Sequence, residues 1–147
     1  MAQYSDKKFR LRVITPTEIK IEEEVEMVIM RCLDGAMGVL AGHEPHLCVL
    51  DIGVLRILND DQERSLAVLG GIAEVKGDAV TILADDAHWP EDIDTDRAER
   101  AKERRERAIR ERKDDRELMQ DQIHLRRAMV RIEVGSLPLH SVKGEDG

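Results

Sequence analysis

The sequence predicts a β-plus-α chain: an antiparallel β-sandwich over residues 1–90, an antiparallel two-helix hairpin over 91–135 and a flexible tail over 136–147. Three observations predict it. Short apolar runs recur about every ten residues as far as Pro90, with turn residues between them, the spacing of an all-β sandwich or barrel. No helix-length pattern interrupts these runs, which disfavours parallel βαβ units. Beyond Asp94 the residues become Arg, Glu, Lys and Ala, all good helix formers.

The strands are justified in order. Phe9, Leu11 and Val13 alternate with Arg10 and Arg12, and Thr15-Pro16 ends that run. Ile19 and Ile21 alternate again. Val25, Met27 and Ile29 lead a longer run to Leu33, stopped by Asp34-Gly35. Gly38 to Pro45 reads as a glycine-bracketed loop. Leu47 to Leu50 is apolar throughout, and Leu55 and Ile57 alternate toward a hairpin turn at Asn59-Asp60-Asp61. Leu66 and Val68 precede Gly70-Gly71, and Ala73 and Val75 follow it; that glycine pair predicts a bulge or a close backbone approach. Lys76-Gly77-Asp78 turns the chain into Val80 and Ile82. The count is eight or more short strands. Trp89 either packs over the domain junction or stands exposed.

The hairpin begins in Ile93-Asp94-Thr95-Asp96-Arg97-Ala98. Asp94 and Asp96 compete as N-cap, Asp96 with Glu99 at capping-box spacing. Ala98, Ala101 and Ala108 give the first helix a narrow stripe. Arg112 to Asp115 is the most polar point and the predicted turn. Leu118, Leu125, Met129 and Ile132 form the second stripe; Gly135 is expected to end the helix, with Pro138 beyond it. Stripes this thin bury little area, so the hairpin can detach at small cost.

Charge divides the same way. Residues 1–90 hold 9 basic and 16 acidic side chains, residues 97–131 hold 13 basic and 8 acidic. A basic arm on an acidic body suits an anionic partner, or is a solvated helix laced with ion pairs. The aromatics are Tyr4, Phe9 and Trp89, none of them in the basic arm, so base-stacking nucleic-acid recognition is not expected. Cys32 and Cys48 read as reduced core residues. No apolar leader shows in Met1 to Arg10, and no run reaches the ~18 apolar residues that span a bilayer. The expectation is a chain on the cytoplasmic side, peripheral to a membrane if it sits on a membrane complex.

Three constellations bear on chemistry. Asp92, Asp94, Asp96 and Glu103 have calcium-loop spacing, but Arg97 occupies the glycine position and a strand precedes, so no metal is expected. Asp94 and Arg97 lie one helical turn apart and can meet at a helix N-terminus that favours anions. Arg127 and Arg131 share a face of the second helix, near Arg126, and a hairpin returns them beside Arg97. Converging guanidiniums can hold a polyphosphate; surface ion pairing is the plainer reading. No nucleophile elbow, phosphate-binding glycine loop or histidine metal spacing is present, so no catalytic residues are assigned.

Val13-Ile14-Thr15-Pro16, Asp34-Gly35-x-x-Gly38-Val39-Leu40-x-Gly42-His43-x-Pro45, Gly53-x-Leu55, Gly70-Gly71-x-x-Glu74-Val75 and Ile93-Asp94-x-x-Arg97-Ala98, in this order, resemble the epsilon subunit of bacterial F-type ATP synthase. The resemblance spans about residues 8–134. It implies a ten-stranded sandwich that binds the gamma subunit and the c-ring, and a non-catalytic role in the central stalk. It implies a hairpin that extends toward the alpha and beta subunits to restrain ATP hydrolysis. It also implies ATP as a regulatory ligand, held by Ile93, Asp94, Arg97, Ala98, Arg127 and Arg131. Ala36, Met37 and Ala41 depart from the family's usual acid, aromatic and proline, and His88 stands where some nucleotide-binding members have an acid. The alternative is an adaptor whose basic hairpin binds an acidic protein.

Overall fold

A computed structural model describes residues 7–111 and 114–137, and the backbone of 141–142. The strands are β1 (Phe9–Ile14), β2 (Ile19–Val25), β3 (Met27–Cys32), β4 (Gly35–Leu40), β5 (His46–Asn59), β6 (Gln62–Lys76), β7 (Ala79–Ala84) and β8 (Ala87–His88). The helices are α1 (Thr95–Arg110) and α2 (Asp115–Gly135), and Ser141–Val142 forms a short β9. The sheet order is β2-β1-β7-β6-β5-β3-β4, with β8 and β9 also against β6.

This one sheet folds over on itself. β5 and β6 pair along their whole length, but the register runs Leu50↔Gly71 and then Ile52↔Leu69, stepping over Asp51 and Gly70. There both strands bend. Gly70 and Gly71 have φ of 90° and 140°, and a Cβ on Gly71 would lie 2.2 Å from the Leu83 carbonyl oxygen. Only glycine fits that conformation and that approach. Each long strand therefore contributes one half to each layer. The first layer holds β2, β1, β7, the second half of β6 and the first half of β5. The second holds β4, β3, the second half of β5, the first half of β6 and β8. The eight strands thus supply the ten segments implied by the family resemblance. Among the described residues the strand pairs are antiparallel except β1 with β7.

The core lies between the layers. Leu11, Val13 and Ile82 meet Leu55, Ile57 and Leu66 in one buried cluster, each side chain contributing about 1.5–3 kcal/mol by leaving water. Trp89 is half-buried against this cluster, with the Arg64 guanidinium 5.6 Å from its ring centre. Of the two expectations for Trp89, packing is the one realised.

Several local expectations are corrected. Gly38-Val39-Leu40, expected in a loop, belongs to β4, which pairs with β3 from Met27↔Leu40 to Cys32↔Gly35. Its glycines and alanine are weak strand formers, but the ladder and the buried Val39 decide the outcome. Val25 belongs to β2, opposite Phe9, and not to the run that follows. The chain changes layer at Glu26, so the buried alternation resumes out of step, at Val28, Met30 and Cys32. Glu26 is fully buried there, and its carboxylate accepts the Asp60 N–H at 2.9 Å. In α2 the buried residues are Ala128 and Val134, whereas Met129 is exposed. Gly135 is the last residue of α2, where the sequence places the helix end, and its backbone is helical. Arg112, Lys113 and Pro138 lie outside the described residues. In the segment expected as a tail, Ser141–Val142 pairs with Glu63 and Gln62.

Candidate functional site

The site is built where the hairpin leaves the sandwich. Pro90 starts a single 3-10 turn through Asp92, closed by Asp92 N–H to Trp89 O and Ile93 N–H to Pro90 O. Proline suits this position because its missing N–H would be unpaired anyway. Asp94 then caps α1: its carboxylate accepts the Arg97 N–H at 3.0 Å. The meeting of Asp94 and Arg97 is thus a helix cap, and the Arg97 side chain lines a cleft. Asp114 caps α2 in the same way, accepting from Glu117 N–H at 2.7 Å.

Small residues hold the helix pair together. Ala98 and Ala128 are buried, and a Cβ on Gly135 would come within 2.5 Å of Thr95 Cγ2 and 3.0 Å of Ile93 Cγ2. The end of α2 therefore rests on the start of α1. Arg105 pairs with Asp121 at 2.9 Å farther along. The hairpin lies folded against the sandwich, with α2 touching β5 and β6. Two ion pairs bridge this contact, Arg126 to Asp51 at 2.5 Å and Arg131 to Asp86 at 3.9 Å. Burial pushes the Asp51 carboxyl up, but the Arg126 guanidinium and the Ile52 N–H outweigh it and hold it below its ordinary range.

Between the hairpin base and the sandwich lies a cleft of about 360 Å³, lined by His88, Asp92, Ile93, Asp94, Arg97, Ala98, Ala101, Arg104 and Arg131. That volume is in the range of small-molecule sites. Five of the six sequence-predicted residues, Ile93, Asp94, Arg97, Ala98 and Arg131, are on its wall. Arg127 is not among the lining residues; it stands near Arg131, with a buried Nε that has no hydrogen-bond partner. Arg126 is turned away to Asp51. Arg104 was missed by the sequence reading, although Arg97, Ala101 and Arg104 recur at the 4- and 3-residue spacing of one helix face.

The cleft wall carries three guanidiniums, from Arg97, Arg104 and Arg131, and two carboxylates, from Asp92 and Asp94. Burial lowers the Arg131 pKa from its ordinary value; nearby Asp86 opposes this, and the Arg127 and Arg97 charges reinforce it. Asp86 is shared: the carboxylate oxygen that faces Arg131 also lies 3.0 Å from His88 Nε2. An incoming anion would relieve the repulsion among the guanidiniums. Among the described residues no group of three or more His, Cys, Asp or Glu side chains is placed to hold a metal ion.

A second surface lies on the outer face of the first layer. Cross-strand pairs Val49↔Ile72, Ile72↔Leu83, Leu83↔Ile14 and Ile14↔Ile19 put apolar side chains in one row across five strands. Leu33 extends it, its N–H donating to Val49 O. Leu33 is 65%, Val49 53% and Leu83 53% exposed. A contiguous exposed apolar row of this kind marks an interaction surface.

Comparison with known proteins gives the same two-part division. Residues 8–90 match the family described as ATP synthase, Delta/Epsilon chain, beta-sandwich domain, and residues 91–135 match its long alpha-helix domain. The chain belongs to the ATP synthase delta/epsilon family. Within that family it is 40% identical over 127 residues to the ATP synthase epsilon chain of Caldicellulosiruptor saccharolyticus, covering 86% of this chain and 93% of the relative. It is 38% identical over 128 residues to the epsilon chain of Bacillus velezensis, covering 87% and 97%. Among solved structures it resembles a chain of the Euglena gracilis mitochondrial ATP synthase, OSCP/F1/c-ring, with TM-score 0.75 and 27% identity over 85% of this chain and 79% of that one. A chain of the Tetrahymena thermophila mitochondrial ATP synthase central stalk and c-ring shares the fold, at TM-score 0.66 and 12% identity, covering 90% and 99%. Among the described residues no helix is long and apolar enough to cross a membrane.

Proposed function

We propose that this chain is a non-catalytic rotor subunit of an F-type ATP synthase, coupling c-ring rotation to ATP synthesis and restraining ATP hydrolysis through its hairpin. The exposed row from Leu33 to Ile19 is the surface for the gamma subunit, with the c-ring bound by the adjoining end of the sandwich. These contacts hold the chain at the cytoplasmic face of the membrane. The observation that carries the regulatory part is the cleft itself: three arginines, Arg97, Arg104 and Arg131, from two helices face one space at a helix N-terminus. Two partly exposed ion pairs, worth about 0–1 kcal/mol each, bridge the hairpin to the sandwich in the folded position. Such an arm is released at small cost and re-docked by a ligand.

ATP is the regulatory ligand of this reading. Its phosphates meet Arg97, Arg104 and Arg131, with Arg127 behind Arg131, while Ile93, Asp94 and Ala98 line the rest. Ligand bound only to the folded-down hairpin stabilises it by RT ln(1 + [L]/Kd), about 2.7 kcal/mol at a hundredfold excess. Extended instead, the arm turns the arginine-rich face of α1 toward the alpha and beta subunits. A thermal melt of the full chain with millimolar ATP tests the ligand: the melt shifts upward, and the shift is lost in Arg97→Ala and Arg131→Ala. An unchanged melt removes the nucleotide from the reading. Deleting residues 91–147 tests the restraint: ATPase activity of the assembled complex rises, and equal activity counts against it.

A further inference from the structure

Cys32 and Cys48 lie on neighbouring strands, β3 and β5, with their Sγ atoms 2.9 Å apart. The pair is not a disulfide; both are free thiols. Backbone pairing fixes the approach: Cys32 is opposite Leu50, and the Leu33 N–H donates to Val49 O at 3.0 Å. The two thiols differ in access. Cys32 is buried, whereas Cys48 sits half-buried at the rim of the core. Burial and the neighbouring Cys48 thiol push the Cys32 thiol up to about 12, so it rests protonated.

We propose that Cys32 and Cys48 are a redox-sensitive dithiol that a peroxide-class oxidant converts into an intramolecular disulfide, stapling the end of β3 to the start of β5. The more accessible Cys48 thiolate attacks one peroxide oxygen, the O–O bond breaks, and a sulfenic acid forms with release of water. The Cys32 sulfur then attacks the Cys48 sulfur. The S–S bond forms, the S–O bond breaks, and the hydroxide leaves as a second water with the Cys32 proton. Two thiols and one hydrogen peroxide thus give one disulfide and two waters. A thiol reductant reverses the step. The closed loop, residues 32–48, contains β4 and its flanking turns, so the staple fixes the edge from which Leu33 and Val49 project.

The test treats the full-length reduced chain with hydrogen peroxide and follows free thiols, intact mass and thermal melting. The expected result is loss of both thiols in a monomer lighter by two hydrogens, with a linked peptide joining Cys32 and Cys48. The melting temperature rises by roughly 5–10 °C, as for other loops of this length. Dithiothreitol restores both thiols and the original melt. In Cys48→Ser, Cys32 stays a thiol; in Cys32→Ser, Cys48 proceeds to sulfinic acid. Oxidation of wild-type Cys48 to sulfinic acid with Cys32 still free would overturn the proposal, as would disulfides found only between chains. Equal oxidation of Cys32 in the Cys48→Ser variant would overturn the order of attack.

Discussion

Gly135 sits where the last turn of α2 crosses the first turn of α1, and two effects compete over its replacement. Alanine would favour the helix by about 1 kcal/mol. Its Cβ would also meet Thr95 Cγ2 at 2.5 Å and Ile93 Cγ2 at 3.0 Å, and overpacking of that kind costs about 1–3 kcal/mol. The clash outweighs the gain in helix propensity. Gly135→Ala is therefore expected to weaken hairpin closure by about 1 kcal/mol net, read as faster amide exchange in α1 with the sandwich unchanged; slower exchange would contradict this. Glycine at a helix end suggests a left-handed stop in sequence, and here the reason is proximity across the hairpin. Glu26 makes a related point. A fully buried acid that accepts the Asp60 N–H ties the layer crossover to the β5–β6 turn, where Asp60 and Asp61 both have positive φ. Glu26→Ala removes the side-chain acceptor of the Asp60 N–H and should lower stability by about 1–3 kcal/mol in urea unfolding. A loss below about half a kcal/mol would mean that the turn forms without it.

At the scale of the element, the hairpin's attachment is the quantity of interest. Its contact with the sandwich includes the ion pairs Arg126–Asp51 and Arg131–Asp86, so charge contributes to it. The Asp51 carboxyl is held below its ordinary value of 3.8 in the folded arrangement. A depressed carboxyl contributes stability above that ordinary value, and the contribution is lost as pH falls through the lowered one. The docked hairpin should therefore open on acidification below about pH 4. A fluorophore pair on α2 and β6 would report the separation. Asp51→Asn should show more of the open form at neutral pH and a flatter acid response; an unchanged profile would assign the opening to other carboxylates.

At the scale of the molecule, the bend at Asp51 and Gly70 makes one sheet into two layers, and it leaves an apolar row on the outer face of the first. Ile72 lies at the centre of that row, between Val49 and Leu83. Ile72→Glu is expected to abolish co-purification with gamma and the c-ring while shifting the isolated chain's melting temperature by less than about 2 °C, because the side chain is already solvated. Retention in the complex would move the docking surface elsewhere. The row was only partly legible in sequence. Its members appear as apolar residues in separate runs, and each run's outward side is fixed by a register that spans residues 14 to 83.

The sequence by itself determined the two-part plan, the strand spacing, the Asp94 helix start and most of the arginine set. These follow from local signals: alternation, turn residues, capping and helix propensity act within a few residues of one another. Tertiary structure alone decided that β5 and β6 are single bent strands, that Gly38–Leu40 is a strand, and that Val134 and Ala128 rather than Met129 are buried. It also separated the arginines, sending Arg126 to Asp51, leaving Arg127 off the cleft wall and bringing in Arg104. It placed the Cys32 and Cys48 sulfurs in contact. The physical reason is common to all of these. Each depends on which distant backbone lies alongside, and pairing partners far apart in sequence override the weak preferences of the residues themselves.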